Sequence, residues 1–181
     1  MKNLSPAESY ALGALANVLK VPYDALYTLI NFESGFNPEA RNPYTGARGL
    51  IQFMPATARA LGFASADELI KKYPGVVDQL QIGGPVHKYL KMFSPFTSEY
   101  DLFMSVFYPK ARRMNPLAPF PANVQAVNPG IVTPWDYVRK AYLRSMKTLP
   151  AIPAIAGAGA GLLVVGLIIA FLLYRKGVFN I

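Results

Sequence analysis

The run from Ala151 to Tyr174 constrains this chain more than any other stretch, because its 24 residues include no charged side chain. As a helix rising about 1.5 Å per residue it would extend roughly 36 Å, enough to cross a hydrocarbon core of about 30 Å with some tilt. Pro150 and Pro153 mark its entry, Tyr174 falls at an interfacial position, and Arg175-Lys176 close it. The expectation is a single C-terminal transmembrane anchor over 150–176, followed by a short tail at 177–181. Lipid is therefore an expected partner, through 151–174. Gly157 and Gly161 have the Gly-x-x-x-Gly spacing that lets helices approach closely, which allows helix association there. Behind Lys2 there is no hydrophobic run, so no secretory signal peptide is expected.

What remains is long enough for one compact domain with a real core and too short for two. The net charge is +8, and +6 without the tail from Pro150, with 16 basic against 10 acidic residues. That balance suits anionic partners such as lipid headgroups or wall polymer. The charges are scattered and form no Lys/Arg run, so nucleic acid is not an expected partner. With no Cys, disulfides and Cys-based zinc sites are excluded. His87 is the only histidine and has no carboxylate cluster near it, which argues against a metal and reads as a polar helix surface. No Gly-rich phosphate loop precedes a helix and no Ser-His-Asp signature is present, so no cofactor is expected.

Local signals are helical almost throughout. Ser5-Pro6-Ala7-Glu8 is a capping box with Pro in the first turn, ahead of Leu12, Leu15, Ala16 and Leu19 on one face. Pro22 opens a second helix that ends near Gly35. Turn formers fill 36–48, Pro55 and Gly62 bracket a short helix, and Ser65-Ala66-Asp67-Glu68 starts another, through Tyr73. The stretch 76–93 reads as helix broken around Gly83-Gly84-Pro85. Thr97 or Ser98 caps a helix that loosens at Tyr108, because Pro109 disfavours helical geometry before it. Residues 114–130 are proline-rich and read as a wrapping segment or linker. Thr133-Pro134-Trp135-Asp136 then starts a basic amphipathic helix carrying Arg139, Lys140, Arg144 and Lys147 to about Leu149. No strand alternation stands out, so the class is all-α or α with minimal β.

Leu26, Leu29, Ile30 and Glu33 are spaced by three and four residues, which puts a carboxyl on the apolar stripe of the second helix. Desolvation raises the pKa of such a group, and the negative end of the helix pushes the same way. An acid kept protonated near neutral pH can donate to a leaving-group oxygen. A helix-end Glu reaching Arg41 or Arg48 in an ion pair explains the same spacing equally well.

Three linked blocks go further: Glu33-Ser34-Gly35-Phe36-Asn37-Pro38, Gly49-Leu50-Ile51-Gln52-Phe53-Met54-Pro55-Ala56-Thr57-Ala58, and Leu61-Gly62. Together they resemble the lytic transglycosylase (SLT) family of the lysozyme-like fold, over roughly Pro22 to Ala111. A fourth block, Phe107-Tyr108-Pro109-Lys110-Ala111, stands where the family usually has Ala-Tyr-Asn-Ala-Gly, and is similar to a phage-type variant. The resemblance implies a lysozyme-like core over 1–113, with 114–149 as wrapping segment and basic helix. It implies that Glu33 is the catalytic acid/base and that Ser34 orients its carboxyl or contacts the substrate's N-acetyl group. Gly49, Leu50 and Gln52 would line the groove, and Tyr108 would bond Glu33 or the substrate.

The substrate implied is the peptidoglycan glycan strand, cut at the MurNAc-GlcNAc bond to 1,6-anhydro products without a second carboxylate. Were Asp101 or another acid to face Glu33 across the groove, hydrolysis by a muramidase would stand instead. A non-catalytic wall-binding or structural membrane protein is the reading from another class. The anchor, the missing signal peptide and the Phe-Tyr-Pro variant together place the chain in a phage internal membrane or a bacterial inner membrane. In the virion it would open the host wall at genome entry, with phage capsid or membrane proteins as partners.

Overall fold

The computed structural model describes residues 2–147, so the expected anchor over 150–176, the tail at 177–181 and the Gly157/Gly161 pair lie outside the described residues. The chain divides into two units, Met1–Leu149 and Pro150–Ile181, and the described residues fall in the first. Among them, no helix is long and apolar enough to cross a membrane. Nine α-helices and one 3-10 turn make up the described part, and its only β pairing is two isolated antiparallel bridges, Arg41 to Arg48 and Arg48 to Phe53.

Helix α1, Pro6–Leu19, starts where the capping box predicts. Ser5 Oγ accepts from the Glu8 N–H at 3.3 Å, and the Glu8 carboxylate accepts from the Ser5 N–H at 2.8 Å. Two orphan donors are thereby satisfied. Its buried face is Leu12, Leu15, Ala16 and Leu19, and burying each Leu contributes about 2 kcal/mol. Helix α2, Tyr23–Ser34, buries Leu26, Leu29 and Ile30 completely and stops at Gly35, whose φ of 62° and N–H to Asn31 O (3.0 Å) make a left-handed cap. α1 packs on α2 and on the later helices Val76–Leu80 and Pro85–Lys91, while α2 also meets the helices Glu99–Phe107 and Pro134–Lys147.

Helix α3 is Pro55–Ala60, and α4 is Ala66–Lys72. Ser65 Oγ caps α4 from the Glu68 N–H (3.1 Å), but the Glu68 carboxylate turns to the Ala64 N–H at 2.5 Å, so only half of the expected box forms there. The 76–93 stretch splits into α5, Val76–Leu80, and α6, Pro85–Lys91. Gly84 sits so close to the end of α5 that a Cβ there would lie 2.7 Å from Asp78 O, and Pro85 then begins a new helix. His87 is buried on α6, with Nδ1 accepting from the Gly83 N–H at 3.1 Å. The polar-surface reading of His87 is thus corrected: the imidazole faces inward to hold the turn between the two helices.

Helix α7, Glu99–Phe107, is capped by Ser98 Oγ and ends at Tyr108, whose extended backbone precedes the 3-10 turn Pro109–Ala111. Residues 114–133 wrap the body. Phe120 N–H bonds Val132 O (2.8 Å), Trp135 N–H bonds Pro116 O (2.9 Å), and the short α8, Ala122–Ala126, comes without a local sequence signal. Helix α9, Pro134–Lys147, is capped by Thr133 and Asp136 in a reciprocal pair. Phe120, Tyr137, Val138 and Ala141 join the same core as α1 and α2.

Candidate active site

Glu33 lies one residue before the end of α2, half-buried, on the stripe that Leu29 and Ile30 bury. Its Oε1 accepts a hydrogen bond from the phenol of Tyr137, which α9 delivers from 104 residues away. The Tyr137 ring is fixed on three sides: stacked on Phe107 with centroids 4.2 Å apart, and edge-on to Phe32 (5.2 Å) and Phe103 (6.2 Å). Two further contacts pin α9 to the same turn. Arg144 Nη1 donates to Phe32 O at 3.2 Å, with its guanidinium 5.8 Å from the Phe32 ring centroid, and Asn31 Nδ2 donates to Ser145 Oγ at 3.4 Å. A cation on one of the last carbonyls of α2 offsets the negative helix end.

Burial raises the Glu33 carboxyl to about 7, while the Tyr137 hydrogen bond and the Arg144 charge pull it down and set the balance. Tyr137 itself is driven well above the usual phenol range, by burial first and then by Glu33, so it remains a donor. Tyr89 is raised to about 12 by burial and by the Glu33 charge, and its hydroxyl donates to Ser105 O at 2.6 Å. A cavity of about 160 Å³ is bordered by Gln52, Met54, Thr57, Tyr89, Phe107 and Pro109; Glu33 and Tyr137 are not in its lining, and Phe107, the ring stacked on Tyr137, links the two.

Residues singled out in the sequence take different places. Ser34 Oγ donates to Leu50 O (2.9 Å) and Ile30 O (3.3 Å), tying the end of α2 to the following loop rather than turning to the Glu33 carboxyl. Gly49 is buried with φ of 77°, and a Cβ there would stand 2.7 Å from Ile70 Cδ1 and 2.8 Å from Gln79 Oε1. Its bareness therefore serves packing. Leu50 is fully buried, with its N–H on Gln79 Oε1 at 2.9 Å. Of the three residues expected to line the groove, Gln52 is the one at the cavity; its Nε2 donates to Gly49 O at 3.1 Å. Tyr108 is half-buried edge-on to Phe120 (5.8 Å), and the hydroxyl on Glu33 is Tyr137's.

The pairing of Arg48 and Asp101 bears on two of the alternatives weighed for Glu33. Arg48 pairs with Asp67, so it does not neutralise Glu33. Asp101 is buried and occupied: Arg112 Nε donates at 2.6 Å, Thr97 N at 3.0 Å and Thr97 Oγ1 at 3.2 Å. Burial alone would raise its carboxyl, but these bonds and the Arg112 charge hold it below the usual range. That is a structural carboxylate, anchoring the segment around Arg112. Among the described residues, no group of three His, Cys, Asp or Glu side chains could hold a metal.

Sequence reasoning missed Tyr137, Arg144 and Gln79. Gln79 is a fully buried amide that accepts from Leu50 and donates to Pro38 O (2.8 Å) and Tyr73 O (3.0 Å), clamping the 38–50 loop. The one available signal for Tyr137 was its place on the apolar face of α9 with Val138 and Ala141.

Residues 12–74 match the family model of the transglycosylase SLT domain, about a third of the chain. No curated protein and no solved structure matches the chain.

Proposed function

We propose that the chain is a peptidoglycan lytic transglycosylase in which Glu33 acts first as acid and then as base. The observation that carries this reading is a carboxyl, within the stretch that matches the SLT domain, raised to about 7 and held by a phenol whose stacking partner Phe107 borders a cavity. At neutral pH about half of such groups carry a proton, which suits an acid that must also accept one. Glu33 gives its proton to the leaving GlcNAc oxygen while the substrate's own N-acetyl group supports the oxocarbenium-like centre. The carboxylate then takes the proton of the C6 hydroxyl, whose oxygen closes the 1,6-anhydro ring. Two-carboxylate hydrolysis needs a partner acid across the bond. The acid considered for that place, Asp101, is spent on Arg112 and Thr97.

Gln52 and Tyr108 are assigned to the glycan, with Ser34, Gly49 and Leu50 shaping the loop that presents Gln52. The uncharged run 151–174 supports a membrane anchor, and that anchor supports a virion-associated role in opening the host wall at genome entry. Glu33→Gln should abolish release of anhydro-muropeptides, which are lighter by one water than hydrolysis products in mass spectra. A folded Glu33→Gln variant that clears walls like the parent refutes the enzyme reading. Detection in host membranes but never in purified particles refutes the virion placement.

A further inference from the structure

Phe107 takes part in two structures at once. It is the last residue of α7, half-buried, and it borders the cavity together with Val106 and Pro109. The same ring stacks on Tyr137, with centroids 4.2 Å apart and planes 22° from parallel. Tyr137 has two other ring neighbours, Phe32 and Phe103, and both meet it edge-on. Of the three, Phe107 alone borders the cavity. Cavity wall, phenol and acid thus form one chain of direct contacts, Phe107 on Tyr137 and Tyr137 on Glu33.

The surroundings hold that chain in place. Phe120 packs edge-on to Phe107 at 5.5 Å; it is 2% exposed, and its N–H is spent on Val132 O. Beyond Phe107, the Tyr108 N–H bonds Met104 O at 3.0 Å and Arg112 is fixed on buried Asp101. A stacked neighbour restricts the tilt of the Tyr137 ring, and that tilt sets where its hydroxyl lies. Tyr137 and Arg144 of α9 act on the Glu33 carboxyl, and Tyr89 of α6 feels its charge. The remaining acids on helices packed against α2 are engaged elsewhere: Glu8 caps α1, Glu99 accepts from Tyr142, Asp101 from Arg112, and Asp136 caps α9. Lys140 donates to Pro129 O, and Arg139 is exposed.

We propose that Phe107 is a positioning residue that couples the cavity to the acid: glycan filling the cavity confines its ring against Tyr137 and so fixes the phenol on the Glu33 carboxyl. This rests on the transglycosylase reading for the identity of the glycan. The phenol bond favours the carboxylate, so Glu33 becomes the stronger acid when the cavity is filled.

The test follows the Glu33 carboxyl itself, by NMR of the full chain carrying isotope-labelled glutamate, with its signal assigned by its loss in Glu33→Gln. Titrations are run without and with peptidoglycan glycan strands, and release of anhydro-muropeptides is measured in parallel. Phe107→Leu and Phe107→Met come closest in bulk without a ring, while Phe107→Tyr keeps the stack. With glycan bound, the Leu and Met midpoints should lie about half a pH unit to one pH unit above the parent's, the scale of one aromatic stack. That gap should narrow without glycan, and Phe107→Tyr should match the parent. In a Tyr137→Phe background, Phe107→Leu should leave the midpoint where it is. An equal gap with and without glycan, or a gap that persists in Tyr137→Phe, overturns the proposal. Ringless variants whose midpoints match the parent's, whatever their turnover, leave Phe107 a packing role and overturn it too. A parent that releases no anhydro-muropeptides yet shows the glycan-dependent gap leaves the coupling standing while the enzyme reading falls.

Discussion

Glu33→Gln should make the protein more stable and inactive at once, with a stability gain that depends on pH. The parent carboxyl is raised to about 7 in the fold, against 4.5 for an ordinary glutamate. Between those values the unfolded chain is ionised while the native one keeps its proton, so the unfolded state binds fewer protons and parental stability falls as pH rises. The difference of about 2.5 units corresponds to about 3 kcal/mol, fully expressed above pH 7 and absent below about pH 4.5. Solvent reaching the half-buried carboxyl makes that figure a ceiling. Gln carries no charge to desolvate and keeps an oxygen for the Tyr137 phenol, so it escapes the penalty. Urea unfolding followed by Trp135 fluorescence, run on both proteins from pH 4.5 to 8.5, should give midpoints that coincide in acid and diverge toward alkali. A constant offset across the range, or a parent more stable than the variant at pH 8, refutes the account of why this carboxyl holds its proton.

Other expectations follow from the same contacts. Tyr137→Phe removes a bond that lowers the Glu33 pKa, so the alkaline limb of the pH–activity profile should move to higher pH while kcat falls, as a pH series of turnover rates would show. Gly49→Ala forces a Cβ against Ile70 and Gln79 in a left-handed backbone, and should cost about 3 kcal/mol, read from the loss in thermal midpoint. Asp101→Asn takes the counter-charge from the mostly buried Arg112 guanidinium and should cost about 3 kcal/mol at pH 7. Because the Asp101 pKa is depressed, that loss should shrink as pH falls through and below 3.8, where the parent carboxylate protonates as well; denaturant midpoints at pH 7 and pH 3 check it.

Contacts made within a few residues were legible in the sequence. The Ser5/Glu8 and Thr133/Asp136 caps depend on side chains reaching nearby backbone, the Gly35 stop on a bare residue taking a left-handed φ, and the end of α7 on the Pro109 ring. The place of Glu33 on a buried stripe followed from helical spacing alone. What escaped were partnerships set by packing. Tyr108 and Tyr137 are both aromatic and both lie near Phe120 or Phe107, and nothing local says which hydroxyl points at the acid. Gly49 and Leu50 belong to a block that the resemblance assigns to the groove, yet Gln79 draws them inward with an amide whose role no neighbouring residue betrays. His87 read as surface because no Cys or carboxylate cluster stands near it in sequence, and only the packed α5–α6 corner shows it turned inside.

The three links from α9 to the last turn of α2 also set an order in time. A chain made from its N-terminus has Glu33 long before it has Tyr137, Arg144 and Ser145. Until the last of those helices docks, the acid lacks the donor and the cation that tune it. Most of the body can fold around an acid not yet set for catalysis, and the finishing step belongs to the helix that directly precedes the uncharged run.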